Sequence, residues 1–452
     1  MSELRQPSPV ELPVVLTIAT SDSGGGAGIQ ADVKTVEAGG GFATSVLVAT
    51  TAQNTRGVES IHVLPVEETE AQLDAVVEDF GVGAAKTGML ATAEVVETVA
   101  DRARGFDFPL VVDPVMVAAS GDRLLEPAGE SAYESLVAES AVVTPNADEA
   151  EVLTGVAVED AESARAAGEQ LCAMGADAAL VKGGHVDTGG RVVDTLVAAD
   201  ESRDGGATVE TFSHPRVDTD ATHGSGCTLS AAIATHLARG AGVSQACERA
   251  TALMERAVRY HHDVGEGPGA VHHLAALRER AGRTATAEAV EGVVAALVRA
   301  NARALVPEVG TNVVGATAYA ESAGEVAAVE GRITRTVDGV APSRGVRFGA
   351  SANVAEFLLA ARERDPALRF ACNCRFGDDL AAALDDLGWT VGEYHRGSER
   401  PVAAAFDDAD GTPAAVVDRG AQGVEPTTRL LATDAGTLRE RALALADALE
   451  ES

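Results

Sequence analysis

The stretch THGSGCTLSAAIATHLARG, residues 222–240, places Gly224, Ser225, Gly226 and Cys227 at the start of an amphipathic helix. Bare N–H groups and the positive end of a helix make an anion site, suited to a phosphoryl group in transfer. A second glycine loop, SDSGGGAGIQAD (21–32), follows the apolar run VVLTIAT and leads into a helical stretch. Residues 26–31 formally match G-x-G-x-x-A after a strand. That fingerprint wants an acidic residue about 20 positions on, at the end of the next strand. Here that strand ends in TTAQNTRG, without an acid. No G-x-x-x-x-G-K-[ST] occurs either, since Lys34-Thr35 lacks the glycine before it. The first loop therefore serves something other than a dinucleotide or a Walker-type phosphate.

These loops belong to a repeating pattern over residues 14 to about 262: a β-branched apolar run, glycine or proline punctuation, then a helix of period 3.6. Strands are expected at VVLTIAT, TSVLVAT, GAAKTG, PLVVDPVM, AVVTPN, AALVKGG and VVDTLVAAD, with helices such as TAEVVETVADRARG and DAESARAAGEQLCAMG between most of them. Such alternation predicts a mostly parallel sheet with helices on both faces. GVESIHVLP and ATVETFSHPRV read as extra antiparallel strands. The polar, small-residue segment LRERAGRTATAEAV (277–290) marks a domain junction, giving domains 1–277 and 288–452 with a linker at 278–287. The second domain opens on a helix, continues strand-rich and ends on another helix.

Composition narrows the function classes. The 452 residues carry a formal net charge of −34, from 69 acidic and 35 basic side chains. Residues 288–452 hold 26 acids against 16 arginines, so neither half offers a basic face and nucleic acid is not the main partner. Only three of the basic residues are lysines: Lys34, Lys86 and Lys182. Dense carboxylates with lysine nearly absent resemble the proteins of extreme halophiles, where molar salt cuts the Debye length to ~3 Å. The three surviving lysines then need a reason. No apolar run approaches the ~20 residues of a membrane span, and the acidic amino terminus is not a signal peptide, so a cytoplasmic protein without a membrane partner is expected. The five cysteines have no framework spacing and read as free thiols. CNC at 372–374 alternates like a strand, and a single histidine after residue 288, His395, argues against a metal site there.

DTDATHGSGCTLSAAIA, AQNTRGV, KTGML, VVDPVMVAASGDRLL, TPNADEAEVL, VKGGH and GPGAVHH, in order over about 14–275, resemble the hydroxymethylpyrimidine/phosphomethylpyrimidine kinases of thiamine biosynthesis, within the ribokinase-like superfamily. The resemblance implies a three-layer α/β domain with ATP as co-substrate and Mg²⁺ as cofactor. It implies that the first loop, with Gly25, closes over a small pyrimidine. Gln53 would read that ring, because an amide pairs as both donor and acceptor, and Met89 and Asp32 match other substrate-side positions. Thr20 stands where the family usually has glycine, and its side chain is expected to crowd the pocket. Lys182 would meet ATP phosphates beside the anion hole of Gly224, Ser225, Gly226 and Cys227. Asn146 and Glu149 form an N-x-x-E that serves Mg²⁺ and its waters, with Asp113 and Thr222 on the same ligand edge. Superfamily relatives usually end the anion hole with an aspartate base. Here Cys227 stands, and a thiol at a helix amino terminus is acidified, so a thiolate base is expected. His223 is open between a capping or core role and a part in the site. A pyridoxal kinase, from the same superfamily, is the rival enzyme.

Residues 288–452 resemble the archaeal-type thiamine-phosphate synthase domain found fused behind this kinase. The resemblance implies coupling of the pyrimidine diphosphate to thiazole phosphate with release of pyrophosphate. Polyanionic substrates need fixed positive charge, and Arg332, Arg335, Arg344 and Arg347 cluster in GRITRTVDGVAPSRGVRF. Asn353 stands where the family usually carries histidine, and EYHRGSERPVAAAFDDADG lacks a Met/Trp/Gly segment of relatives. A non-catalytic ligand-binding or regulatory domain therefore stays open beside the synthase. All expected partners are small molecules, apart from a second copy of the chain in a homodimer or higher oligomer.

Overall fold

Nine of the apolar runs become one sheet in the computed structural model, which describes residues 8–116, 127–184, 189–200 and 206–451. Residues 117–125 of the VVDPVMVAASGDRLL stretch, and His185 of VKGGH, lie outside the described residues. The chain divides into two compact units, Met1–Leu277 and Arg278–Ser452.

The first unit's strands are β1 (Val14–Thr20), β2 (Phe42–Asn54), β3 (Gly57–Val63), β4 (Val82–Thr87), β5 (Leu110–Val112), β6 (Val142–Val143), β7 (Ala178–Val181), β8 (Arg191–Asp200) and β9 (Gly206–Pro215), in spatial order β3-β2-β1-β4-β5-β6-β7-β8-β9. Pairing is parallel from β2 through β7 and antiparallel at both edges, where β3 pairs β2 and β8 pairs β7 and β9. Helices α1 (Gly28–Ala38), α2 (Val66–Val77), α3 (Ala93–Ala103), α4 (Pro127–Val137), α5 (Ala147–Thr154), α6 (Ala161–Ala173), α7 (Ser225–Ala238) and α8 (Val243–Arg259) complete it. Residues 15–20 of β1 are all buried, with no polar alternation. A parallel strand covered by helices on both faces reads as a continuous apolar run for that reason. Leu16 and Ile18 face one core cluster with Leu73, Val95 and Tyr133, while Val15 faces another with Ile233 and Ala250. Each such side chain contributes roughly 1.5–3 kcal/mol on full burial.

The expected linker, 278–287, is helical: it lies within α9 (Ala275–Arg299). Alanine, arginine and glutamate there are strong helix formers, and Glu279 accepts from Arg283 one turn on, at 2.9 Å.

In the second unit, β10 (Val313–Ala316), β11 (Val326–Val329), β12 (Ile333–Arg335), β13 (Val340–Pro342), β14 (Val346–Phe348), β15 (Phe370–Arg375), β16 (Val391–Glu393), β17 (Ala415–Asp418) and β18 (Thr427–Ala432) alternate with α10 (Asn353–Arg362), α11 (Asp378–Asp386), α12 (Pro401–Asp407) and α13 (Ala435–Glu451). Seven of these strands form a sheet ordered β14-β11-β10-β15-β18-β17-β16, and β12 and β13 pair as a separate ribbon. Its two faces carry different cores. Val313, Cys372 and Leu430 pack with α13 on one face, and Val314, Leu431 and α10 on the other. Cys372 and Cys374 thus share the inward face of β15, while Asn373 donates to Gly310 and accepts from the Asn312 N–H.

Candidate active site of the first unit

The parallel strands fix the site by where they end. Thr20 closes β1, Gln53 is the next-to-last residue of β2, and Met89, Asp113, Asn146 and Lys182 follow within three residues of the ends of β4, β5, β6 and β7. All line one cavity of about 560 Å³ at the carboxyl edge of the sheet, where open α/β sheets place their ligands. Glu149, Thr222 and Gly224–Cys227 complete the wall.

In the cavity wall the anion loop meets a cation. Gly224 has φ +83°, and a Cβ there would lie 1.8 Å from the Gly26 carbonyl oxygen, so only glycine fits. The chain then enters α7, whose first-turn N–H groups have no intrahelical acceptor. A Cβ on Gly226 would lie 3.1 Å from Asp113 Oδ2 and 3.4 Å from Lys182 Nζ. The helix amino terminus therefore abuts the Lys182 ammonium, which lies 3.1 Å from Asp113 and 3.6 Å from Glu149. Asn146 and Glu149 bond reciprocally as a capping box: Glu149 N–H donates to Asn146 Oδ1 at 2.8 Å and Asn146 N–H to Glu149 Oε2 at 2.7 Å. The N-x-x-E is thus a helix start, yet a buried one. Burial pushes the Glu149 carboxyl up to about 7, Lys182 pulling it down and Asp113 adding to the rise.

Two acidic groups and an orphan oxygen bear on a metal. Asp113 Oδ2 is buried with no hydrogen-bond partner, and Glu149 is nearby through Lys182. Among the described residues no group of three His, Cys, Asp or Glu could hold an ion by itself. This donor set fits Mg²⁺, which binds through one or two carboxylates and takes its remaining ligands from water and phosphate.

The first glycine loop, which meets the anion loop where Gly26 approaches Gly224, is occupied by its own chain. Asp22, singled out by no sequence motif, accepts from Gly24 N–H through Oδ1 and from Gly26 and Ala27 N–H through Oδ2, at 2.8–2.9 Å. Burial disfavours its charge, but His223, Ala27 and Gly24 outweigh it and hold the carboxyl below its ordinary value. The loop's donors are therefore spent internally, which is why it is no phosphate cradle. His223 Nε2 lies 3.1 Å from Asp22 Oδ2 and 3.4 Å from Gln53 Nε2, and Thr51 Oγ1 donates to Gln53 Oε1 at 3.3 Å. Gln53 is held between them at the cavity wall. His223 lines the cavity, bridging the loop and the amide.

Three expectations change. Asp32 is fully buried and absent from the cavity lining. Its carboxylate accepts from Lys86 Nζ at 3.0 and 3.1 Å and from Thr17 Oγ1 at 2.6 Å. The face of α1 that carries it packs on β1, so it holds Lys86 and does not reach the pocket. Gly25 is likewise outside the lining. At φ +76°, its carbonyl accepts from Lys34 Nζ at 2.6 Å, tying the loop to α1. The three lysines thus each answer a specific carboxylate or carbonyl. Cys227 lines the cavity, but enclosure pushes its thiol up to about 12, against the pull of Lys86. Desolvation, with Asp32 and Asp113 close by, outweighs the pull of Lys86 and of the Gly28 backbone, which favours the thiol over the expected thiolate.

In the second unit all four sequence-expected arginines are exposed. Arg344 and Arg347 both pair with Glu330, at 3.1 and 3.4 Å, and Arg335 donates to the Val306 carbonyl. Asn353 is the first residue of α10. Among the described residues, no hydrogen bond or ion pair joins it to any of the four.

Residues 22–272 match the phosphomethylpyrimidine kinase family model, and residues 289–444 match that of the thiamine-phosphate synthase ThiN. The hydroxymethylpyrimidine/phosphomethylpyrimidine kinase of Streptomyces coelicolor is 47% identical over 272 residues, 60% of this chain and 98% of that protein. The thiamine biosynthesis bifunctional protein ThiED of Geobacter sulfurreducens is 45% identical over 59% of this chain and 53% of its own length. Among solved structures, an ADP complex of Bacillus subtilis pyridoxal kinase superposes with a TM-score of 0.53 at 31% identity, covering 59% of this chain and 99% of that one.

Proposed function

Since the chain belongs to the phosphomethylpyrimidine kinase family, matched over more than half its length, we propose that its first unit phosphorylates hydroxymethylpyrimidine and then the monophosphate, using ATP, and that its second couples the diphosphate to thiazole phosphate. The observation that carries the kinase reading is one cavity lined both by an aminopyrimidine-compatible amide and by a helix amino terminus beside Lys182. Gln53 binds and orients the ring. Gly224–Cys227 and Lys182 accept the γ-phosphoryl charge as it spreads over the transferring oxygens. Asp113 and Glu149 would hold Mg²⁺, which would neutralise the nucleotide phosphates. Cys227 takes the proton of the alcohol only in its thiolate form, the small fraction in which the raised thiol has already lost its own proton to solvent. The monophosphate is already anionic near neutral pH and needs no such help.

Pyridoxal kinases share this fold, but the curated hydroxymethylpyrimidine kinases are 42–47% identical against 29–31% for the solved pyridoxal kinases, which favours the pyrimidine. The synthase reading rests on the ThiN match over 289–444. The acidic, lysine-poor composition supports work in high salt and in the cytoplasm. No helix among the described residues is long and apolar enough to cross a membrane. The test supplies pyrimidine alcohol or pyridoxal with ATP and Mg²⁺ in molar salt, then adds thiazole phosphate, and identifies products by mass. Pyrimidine diphosphate followed by thiamine phosphate is expected. Pyridoxal phosphate as the main product would overturn the first half, and diphosphate without thiamine phosphate the second.

A further inference from the structure

Arg429 is an arginine that nothing in the sequence distinguishes. It sits on β18, only 8% exposed, with its guanidinium 4.9 Å from the Phe357 ring and 5.1 Å from the Tyr394 ring. Nη2 reaches the Asn353 side chain at 3.5 Å, whereas Nε and Nη1 have no hydrogen-bond partner. The nearest carboxylate, Asp418, is 3.7 Å from Nη1. Its two oxygens already accept from Arg396, at 2.8 and 2.6 Å, and from the Gly420 N–H at 3.0 Å. Two guanidinium groups thus share one carboxylate, and the buried one keeps two donors open. A buried charge with unmet donors is costly unless a ligand completes it.

The partner it faces is a helix amino terminus. Asn353 begins the ten-residue α10, whose capping position, Ala352, offers no side-chain bond. The first-turn N–H groups and the positive helix end point where an anion is favoured. Glu356 is the acid of that turn and is exposed. Aromatic rings hold the guanidinium plane, so its donor edge is set before anything binds. A rigid arginine fork beside an uncapped helix start suits phosphate oxygens. The four exposed arginines near β12–β14 offer no such enclosure.

We propose that Arg429, Arg396 and the amino terminus of α10 at Asn353 form the phosphate subsite of the second unit, taking a phosphate or diphosphate group of a phosphorylated substrate. This deepens the synthase reading and depends on it only for the ligand's identity. The test measures binding of inorganic pyrophosphate to the full chain by equilibrium dialysis, for the unaltered protein, Arg429→Met and Asn353→Asp. Either variant should lose one equivalent that the unaltered protein binds, or bind it at least tenfold more weakly, while any equivalent held by Gly224–Cys227 and Lys182 is retained in all three. Aspartate at a helix start supports the helix, so loss of binding in Asn353→Asp with its thermal unfolding unchanged separates a site from a merely structural role. Equal stoichiometry and affinity in folded Asn353→Asp would overturn the subsite. Synthase turnover is measured alongside. Thiamine phosphate formed with an unchanged KM in Asn353→Asp rejects the subsite and keeps the synthase. No product from the unaltered protein, with the pyrophosphate equivalent still lost in the variants, rejects the synthase and keeps the subsite.

Discussion

Replacing Lys86 by methionine tests whether the Asp32–Lys86 pair is a structural element beneath the site or part of the substrate pocket. Both side chains are 0% exposed, and the carboxylate has no solvent to fall back on once Nζ is removed. Breaking such a buried pair from one side costs about 3–5 kcal/mol, whereas replacing both partners by apolar groups is often near neutral. Thr17 would lose its acceptor in the double replacement, which adds ~1–3 kcal/mol. Lys86→Met and Asp32→Leu should therefore each lose about 3–5 kcal/mol, and the double variant less than either. Because the pair is shielded from solvent, the loss should persist from low to molar potassium chloride, unlike that of a surface pair. Urea unfolding followed by circular dichroism reads the effect. Fluorescence of Trp389, the single tryptophan, which lies in the second unit, reports that unit separately and should not move. The reasoning is refuted if Asp32→Asn unfolds within 1 kcal/mol of the unaltered protein while raising KM for the pyrimidine alcohol tenfold. That outcome would return Asp32 to the substrate.

Gln53→Ala should raise KM for the pyrimidine about 5- to 150-fold, the cost of ~1–3 kcal/mol for unpaired polar edges, with KM for ATP little changed; equal shifts in both would remove Gln53 from ring recognition. With the Cys227 thiol pushed up to about 12, alcohol phosphorylation should climb close to tenfold per pH unit from about pH 7 to 9, as the thiolate fraction does. The monophosphate step should climb far less, and Cys227→Ala should abolish the difference; identical pH profiles for the two steps would sink the base role. Glu149 is raised from its ordinary 4.5 to about 7, so between those values the folded protein holds a proton that the unfolded chain has released. Stability should fall as pH rises through that window, by on the order of 3 kcal/mol. Glu149→Gln should flatten the fall in urea midpoints; an unchanged pH dependence in that variant would show that Glu149 does not cause it.

The order of strands and helices in the first unit was legible because each rests on a local period: continuous apolar runs for covered parallel strands, a 3.6 repeat between them. Gln53 and Lys182 were legible through the family resemblance, and Asp113 as a ligand-edge residue because it ends a strand. In a parallel sheet the carboxyl end of every strand points to the same edge, so sequence position implies spatial position. The Asn146–Glu149 capping box is an i,i+3 relation, and such relations survive without tertiary knowledge. Helix propensity in 278–287 was equally local, but polar composition masked it.

What only the tertiary structure decided was environment. Asp22 and His223 are 201 residues apart, and their bond explains why the first glycine loop needs no phosphate. Asp32 and Gln53 are both polar residues in matching motifs. Which of them faces the cavity depends on what packs against α1, and no pattern within α1 says so. Cys227 sits where a helix dipole would acidify it, yet enclosure sets the sign. The second unit's arginines make the same point: a cluster close in sequence lies on the surface, while Arg429, isolated in sequence, is buried with open donors. Periodicity fixes where backbone goes, because hydrogen bonding and side-chain direction repeat over a few residues. Charge state and ligand-readiness depend on dielectric surroundings and on partners brought together from distant segments, so they exist only once the chain has folded.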